Sequence, residues 1–448
     1  MQKFDLNEFP KSSHQEWQEK IIADLKGKEV TSLNKETRDH LKTVPNYTSE
    51  TAPSKETTQF IHETIKNGYE RESWYINQEF NCRKPKEANP RILTALNAGV
   101  DSIKISVPHD VDFDILFKDI KPEHIEIRFK NATTDLIYNY FQWSENQNYN
   151  TTLFEGTFEV FYHRIDSLDE RIELAEKVAE YFPKMSLVNV NGDYFFNQGS
   201  TNVQQIGISI SLANEVLEEL TSNGISAQKA ANLISFSMAT GADFFSEIAK
   251  FRAFASLWAI VLKEHGIENH PTKIHGITST WTQTVLDLNN NMLRSSTQAL
   301  SAVLGGCQSI TVTPFDAAIR RANDFSDRMA RNTQIIIRDE AFAGKVMDVA
   351  SGSYFIENLT VDIAEKAWDL FLEIEFQGGF KANMENGNIP TWISKSREEA
   401  WEKAKSGETT VLGVNKFPNG MENKEALFAE VKKNRIKGLK LSDGIVGE

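Results

Sequence analysis

The 448-residue sequence has almost no cysteine. Its two cysteines, Cys82 and Cys307, are far apart and form no Cys-x-x-Cys pair. Disulfide bonds therefore do not organise the fold, and a reducing cytoplasm suits the chain. No His-Glu-x-x-His motif is present either. This absence argues against a zinc site held by protein side chains.

Excess positive charge and long apolar runs are also missing. The 49 Lys and Arg residues are outnumbered by 63 Asp and Glu residues, giving a net charge of −14. That balance argues against nucleic acid or an anionic membrane as a partner. No apolar run approaches the roughly 20 residues that cross a bilayer, and the first ten residues lack the apolar stretch of a signal peptide. We therefore predict a cytoplasmic protein.

A repeated strand–helix pattern is what the sequence does contain. It runs from about residue 60 to 360, and alternation of this kind is typical of parallel sheets covered by helices. The predicted strands are Ser102–Val107, His124–Phe129, Thr152–Glu155, Leu187–Asn191, Leu233–Met238, Lys273–Thr278, Ser309–Thr313 and Val346–Tyr354. Eight such units predict an α/β fold, a (β/α)8 TIM barrel, with a doubly wound open sheet as the alternative.

Two further segments flank the predicted barrel, which we place at residues 61–380. Residues 1–60 begin with an amphipathic helix containing Trp17 and Leu25 and continue as a polar, extended arm. Such an arm needs a surface to lie on, and we favour a partner over the chain's own barrel. Residues 381–448 are charged and predicted to be a helical extension.

Several predicted strands alternate branched residues with small polar ones, as Ser235 and Ser237 do around Phe236. If the branched residues face the outer helices, Ser, Thr and Asn line the lumen and leave room for a ligand along the axis. An equally good interpretation is that the strands have the opposite orientation, or that the small residues merely let neighbouring side chains fill the tube. His275 lies on another such strand, either contacting a ligand at the barrel mouth or as a hydrogen-bonded core histidine.

Several motifs together resemble the methylmalonyl-CoA mutase family. They include Phe-Phe-Ser-Glu-Ile-Ala-Lys-Phe-Arg-Ala at 244–253, Leu-Gly-Gly-Cys-Gln-Ser at 304–309, Ala-Arg-Asn-Thr-Gln at 330–334 and Gly-Ser-Tyr-Phe-Ile-Glu at 352–357. The resemblance covers about residues 60 to 420. It implies an adenosylcobalamin-dependent mutase that interconverts methylmalonyl-CoA and succinyl-CoA. In that family the pantetheine arm of CoA lies along the barrel axis, and a separate domain carries the cobalt-ligating Asp-x-His-x-x-Gly motif.

The sequence departs from that family pattern at three places. No histidine has a glycine three residues after it, so the cobalt-ligating motif is absent, and the chain ends where the cobalamin domain would begin. Phe196 stands where active members have the histidine that contacts the substrate carbonyl, and a phenyl ring cannot donate a proton. Residues 72–81 have lost both family arginines, which are natural anion clamps, although Arg252 is retained.

These departures resemble the small, non-catalytic subunit of the heterodimeric bacterial enzyme. The resemblance implies a stabilising partner of a catalytic large subunit, with adenosylcobalamin on that large subunit and no cofactor, metal or catalytic group on this chain. The alternative is the acyl-CoA-binding chain of a split cobalamin-dependent mutase. A cobalamin-independent barrel enzyme using His275 is less favoured. The candidate residues of a degenerate site or CoA channel are Tyr69, Phe196, Gln198, Ser235, Ser237, Arg252, His275 and Thr311.

Overall fold

The computed structural model describes residues 12–68, 73–160, 162 and 165–446. Eight parallel strands form a closed barrel. They are β1 (Tyr75–Asn81), β2 (Ser102–Ser106), β3 (Glu126–Phe129), β4 (Glu155–Val160), β5 (Met185–Asn191), β6 (Ile234–Thr240), β7 (Ile274–Thr278) and β8 (Ser309–Thr311). Each strand pairs with the next, and β8 closes on β1 with Ser309 opposite Tyr75. The predicted (β/α)8 TIM barrel is confirmed.

Helices surround this barrel and extend beyond it at both chain ends. Their bounds are His14–Asp24, Lys55–Asn67, Pro85–Asn97, Phe113–Leu116, Thr134–Asn146, Leu168–Tyr181, Gly192–Asn197, Asn202–Ser222, Ala227–Asn232, Phe244–Glu264, Asn290–Leu304, Asp324–Ile335, Tyr354–Phe376, Gly379–Glu385, Asn388–Ser406, Lys424–Asn434 and Asp443–Val446. Within the described ranges, no helix combines the length and apolarity that a membrane span requires.

The branched and aromatic strand residues face the helices, in the orientation that leaves small polar residues on the axis. Phe236 packs edge-on against Phe254 and Trp258 of the outer helix, with ring centroids 4.8 and 5.2 Å apart. Its neighbours Ser235 and Ser237 consequently point inward, since successive strand residues alternate sides. The apolar core is thus the layer between barrel and helices.

The prediction of a last strand at Val346–Tyr354 is wrong. These residues form turns and the first residue of the helix Tyr354–Phe376. Asp348 has a left-handed φ of 45° and turns its carboxylate inward, while Val346 and Val349 are exposed. The apolar alternation of this segment therefore reflects a turn built around one buried carboxylate.

The strand missing from the prediction is β1, where Ile76 and Phe80 face the helices and Asn77 faces the axis. The strand predicted at Thr152–Glu155 overlaps β4 only at Glu155, because residues 151–153 form a 3₁₀ turn. The remaining predicted strands overlap observed ones within a few residues.

Part of the N-terminal arm lies on the chain's own barrel. Asp39 accepts a hydrogen bond from the backbone N–H of Val203 (2.7 Å), and Lys366 donates to the carbonyl of Asp39 (2.9 Å). The helix His14–Asp24, in contrast, buries none of its residues. Contact between this arm and a partner stays a prediction, as does the division at residues 60 and 380.

The C-terminal extension covers one side of the barrel mouth at the carboxyl ends of the strands. Trp401 stacks on Trp281, with ring centroids 6.1 Å apart, and the backbone N–H of Leu441 donates to the carbonyl of Trp281 (2.8 Å). Ala400 joins the same apolar cluster. This extension therefore narrows the mouth at which TIM-barrel active sites lie.

Candidate functional site

The barrel axis is filled by four long charged side chains. Lys104 comes from β2, Glu126 and Arg128 from β3, and Glu159 from β4. Each is at most 7% exposed to solvent. Because Lys, Arg and Glu are almost never so buried unless they are paired, the contacts among them decide what the lumen can hold.

Arg128 is the centre of an ion-pair network along the axis. Its Nη1 lies 3.2 Å from Glu126 Oε1, and its Nε lies 3.3 Å from Glu159 Oε1. The Nζ of Lys104 lies 2.9 Å from the same Glu159 oxygen. Two cations thus balance two carboxylates, as burial of charge requires. Burial alone would raise the pKa of Glu159, but Lys104 and Arg128 lower it below its usual value.

Glu159 reaches the axis through an irregularity in β4. The pairing register of β4 with β5 shifts between Thr157 and Val160, and Glu159 itself has a φ of 38°. A non-glycine residue rarely adopts this left-handed conformation. The strain is tolerated here because the carboxylate is held by two cations.

The small polar residues of the lumen bind these charged groups. Arg128 Nη2 donates to Asn189 Oδ1 (3.0 Å) and to Ser237 Oγ (3.4 Å), while Ser309 Oγ donates to Glu126 Oε2 (2.7 Å). Ser235 Oγ donates to Asn189 Oδ1 (3.2 Å). Of the two interpretations left open by the sequence, the structure shows the second, in which small residues let neighbouring side chains fill the tube.

His275 is a hydrogen-bonded core histidine within this network. Its Nδ1 lies 2.9 Å from Ser309 Oγ and its Nε2 lies 2.9 Å from Thr311 Oγ1. Complete burial, with the nearby charges of Arg128 and Lys104, holds its pKa well below the usual value. The ring is therefore neutral, and both nitrogens are already occupied.

Phe196 lies at the carboxyl-end mouth, in the short helix that follows β5. It packs in a cluster with Ala239, Trp281 and Ala400. The Lys250 Nζ lies 5.1 Å from the ring centroid, close enough for a cation–π contact. The side chain at this position therefore fills space and faces a cation, with no group that could protonate a substrate.

Gln198 and Arg252 have structural contacts away from the axis. The backbone carbonyl of Gln198 accepts a hydrogen bond from Arg397 Nη1 (3.0 Å) of the C-terminal extension. Arg252 is fully buried between helices and binds Asp348 (Nε–Oδ1, 2.8 Å) and Glu357 (Nη2–Oε1, 3.0 Å). Although burial lowers its pKa, the two carboxylates raise the pKa of Arg252 overall. Tyr69 lies outside the described residues.

The structure therefore separates the predicted site residues into three groups. Four lie together on the axis, two lie at the mouth and one joins outer helices; the axial ones are Ser235, Ser237, His275 and Thr311. The decisive residues, Lys104, Glu126, Arg128 and Glu159, were missed. The alternation that selected Ser235 and Ser237 would also have placed Lys104, between Ile103 and Ile105, on the axis.

The filled axis separates two cavities. One of about 510 Å³ opens at the amino ends of the strands and reaches Glu126 and Arg128. The other, of about 810 Å³, opens at the carboxyl ends and reaches Asn77 and Lys104. None of the described residues lines both. Within the part of the chain that the structure describes, no group of three His, Cys, Asp or Glu side chains could hold a metal ion.

These features define a (β/α)8 barrel protein whose axis is closed by buried ion pairs. The sequence model of the methylmalonyl-CoA mutase family matches residues 105–442, and the chain belongs to that family. It is 32% identical to the methylmalonyl-CoA mutase small subunit of Porphyromonas gingivalis over 442 residues, covering 93% of this chain and 71% of that protein. The small subunit of Streptomyces virginiae is 28% identical, with 92% and 71% covered. The Porphyromonas gingivalis large subunit is 32% identical over 248 residues, covering 55% of this chain and 35% of that subunit.

Proposed function

We propose that this chain is the small, non-catalytic subunit of an adenosylcobalamin-dependent methylmalonyl-CoA mutase and stabilises its catalytic large subunit. The observation that carries the proposal is the closed lumen. The family resemblance implies a CoA arm along the barrel axis, and here Arg128 and its two carboxylates occupy that space. Phe196 supports the same conclusion, because it cannot donate a proton to a thioester carbonyl.

The barrel residues that the structure describes do not fit the cobalt of adenosylcobalamin. The sequence has no Asp-x-His-x-x-Gly motif. His275, which lies on a strand of the barrel, has both ring nitrogens hydrogen-bonded to hydroxyl groups inside the lumen. At the carboxyl-end mouth, Trp281 is covered by Trp401 and Leu441 of the same chain. We therefore assign the cofactor to the large subunit.

The N-terminal helix supports association with that partner. None of the residues of His14–Asp24 is buried, although Trp17 and Ile21 lie one turn apart on one side of it. Ile22 is exposed, whereas Trp17 and Ile21 are half-buried. An amphipathic helix whose apolar side is only partly covered is typical of a segment that packs on another chain. Relatives named small and large subunit in Porphyromonas gingivalis are consistent with such a pair.

Co-expression with the large subunit from the same organism tests the proposal. We expect no turnover of methylmalonyl-CoA by this chain alone with adenosylcobalamin, and a higher melting temperature and yield of the large subunit in the complex. Ile21→Glu should weaken association at least tenfold, since burying an isoleucine contributes about 1.5–3 kcal/mol. The control Glu19→Gln, on the same helix, should not. Turnover by the isolated chain, or a large subunit equally stable and active alone, would overturn the proposal.

The second candidate is the acyl-CoA-binding chain of a split mutase. The cavity of about 510 Å³ at the amino ends of the strands favours it, because Lys184 and Lys273 are among the residues that line it. Equilibrium dialysis of the chain with methylmalonyl-CoA separates the two candidates. Stoichiometric binding together with turnover on adding a cobalamin-binding chain would support the split mutase and exclude the purely stabilising role.

A further inference from the structure

A basic cleft opens at the carboxyl ends of β1, β2 and β8. It has a volume of about 810 Å³ and is walled by the helices Pro85–Asn97 and Asp324–Ile335. Its cationic lining residues are Arg83, Lys84, Arg91, Lys104, Lys130, Arg320, Arg321 and Arg331, against the carboxylates Glu79, Glu87 and Asp327. This local excess of positive charge occurs in a chain whose net charge is −14.

Each carboxylate of the cleft forms an ion pair with one of its cations. Lys130 Nζ lies 2.7 Å from Glu79 Oε1, and Lys84 Nζ lies 2.8 Å from Glu87 Oε1. The third pair joins Arg91 Nη2 to Asp327 Oδ2 at 3.4 Å. Of the other five cations, Lys104 pairs with Glu159, and Arg320 lies 3.5 Å from Glu430, both outside the cleft. Among the described lining residues, no carboxylate remains for the last three cations.

Three arginines of the cleft have no ion-pair partner among the described residues. Among the residues that the structure describes, no carboxylate lies within 4.0 Å of the guanidinium of Arg83, Arg321 or Arg331. Arg331 donates through Nη1 to the neutral amide oxygen of Gln78 (3.1 Å), and its Nε is shielded from solvent without a hydrogen-bond partner. A buried N–H without an acceptor is costly, and a bound water or anion would supply the acceptor that this group lacks.

The shape and the charged groups of the cleft indicate which class of ligand it binds. Guanidinium groups bind phosphate oxygens in a bidentate manner. The cleft runs from exposed Arg83 and Arg321 at the rim to buried Lys104 at the axis, and its volume is that of a small-molecule site. This depth favours a small anion over the flat acidic face of a protein. We propose that the cleft binds a phosphorylated small molecule bearing at least two negative charges.

Isothermal titration of the full chain at about 0.1 M salt tests this site with inorganic pyrophosphate, ATP and adenosine. We expect saturable binding at one site per chain for ATP, and none for adenosine. Arg83→Gln and Arg321→Gln should each weaken binding about tenfold, since each removes a charge-assisted contact. Both residues are exposed, so the melting temperature should not change. The matched control is Arg328→Gln, which removes an exposed arginine of the helix Asp324–Ile335 that does not line the cleft.

Pyrophosphate and ATP distinguish the sources of the phosphoryl group. Equal binding of both shows that the phosphoryl groups suffice, and binding of ATP alone identifies a nucleotide; either result supports the site. Equal binding of adenosine and ATP would overturn it, because the base would then be the recognised part. So would an equal loss in Arg328→Gln, which would show a response to net charge alone. If neither anion binds, the proposal fails. A weaker association of Arg321→Gln with the large subunit would then show that the cleft contacts an acidic face of that protein.

Discussion

Replacing Arg128 with methionine tests whether ion pairs close the barrel axis. Methionine has a similar length but no charge, so Arg128→Met leaves Glu126 and Glu159 buried in the lumen with Lys104 as the remaining cation. An unpaired buried carboxylate carries a large desolvation penalty. We therefore expect the free energy of unfolding to fall by about 3–5 kcal/mol.

Burial rather than distance sets this magnitude. Arg128 lies 3.2 and 3.3 Å from its two carboxylates. On the surface, Lys177 lies closer to Glu173, at 2.7 Å, yet solvent screens an exposed pair, so this one contributes little to stability. Lys177→Met is therefore the matched control, and it should change stability far less than Arg128→Met.

Urea unfolding at pH 7, followed by tryptophan fluorescence, measures both variants. A double variant, Arg128→Met with Glu126→Gln, should recover part of the loss, because it removes one of the orphaned charges. The reasoning would be refuted if Arg128→Met matched Lys177→Met within about 0.5 kcal/mol. The reasoning would also be refuted if adding Glu126→Gln lowered the free energy of unfolding further, since the Glu126 carboxylate would then not be destabilising in the absence of Arg128.

Three further predictions follow from individual residues. Phe196→His should leave the purified chain inactive with adenosylcobalamin and methylmalonyl-CoA, because Arg128 still fills the lumen; measurable turnover would contradict this. Arg252→Met should cost about 3–5 kcal/mol in urea unfolding, because it removes the guanidinium from two buried carboxylates and leaves only His62 beside Asp348; a loss below about 1 kcal/mol would show that they are hydrated. Burial raises the pKa of Asp327 from 3.8 to about 6, so its stabilising contribution is full below pH 3.8 and is lost as the pH rises through 6. Asp327→Asn should therefore weaken the dependence of the melting temperature on pH between about pH 4 and 6, and a pH dependence equal to that of the parent chain would contradict this.

The barrel followed from the sequence because its signal is local. Alternation around Phe236 predicts both a strand and its orientation, and the outer contacts with Phe254 and Trp258 agree. The same local signal failed at Val346–Tyr354, where a turn positions Asp348 against Arg252. That contact joins residues 96 apart in the chain, and no pattern within a short window contains it.

The closure of the lumen could be predicted only in part from the sequence. Lys104 and Arg128 occupy inward strand positions, but a charged residue in a strand is ordinarily assigned to solvent, and a barrel core is ordinarily branched and apolar. What the sequence lacked was the pairing, since Glu159 reaches the axis only through a register shift with a left-handed φ. A backbone irregularity of this kind has no reliable sequence signature when the residue is not glycine.

Because the strands line the lumen with polar side chains, the residues that fill the lumen must be polar as well. Leucine or isoleucine on the axis would remove the hydrogen bonds that Ser237, Ser309 and Asn189 make with Arg128 and Glu126. Each such bond to a charged group contributes about 1.5–3 kcal/mol. Arg128 and Glu126 instead satisfy those groups and each other. Because each charged side chain of the axis depends on another, removing one of them reopens little space and leaves an unpaired charge. A CoA-sized channel would need the charged residues of the axis to be replaced together, which is why restoring a single histidine at position 196 is expected to fail.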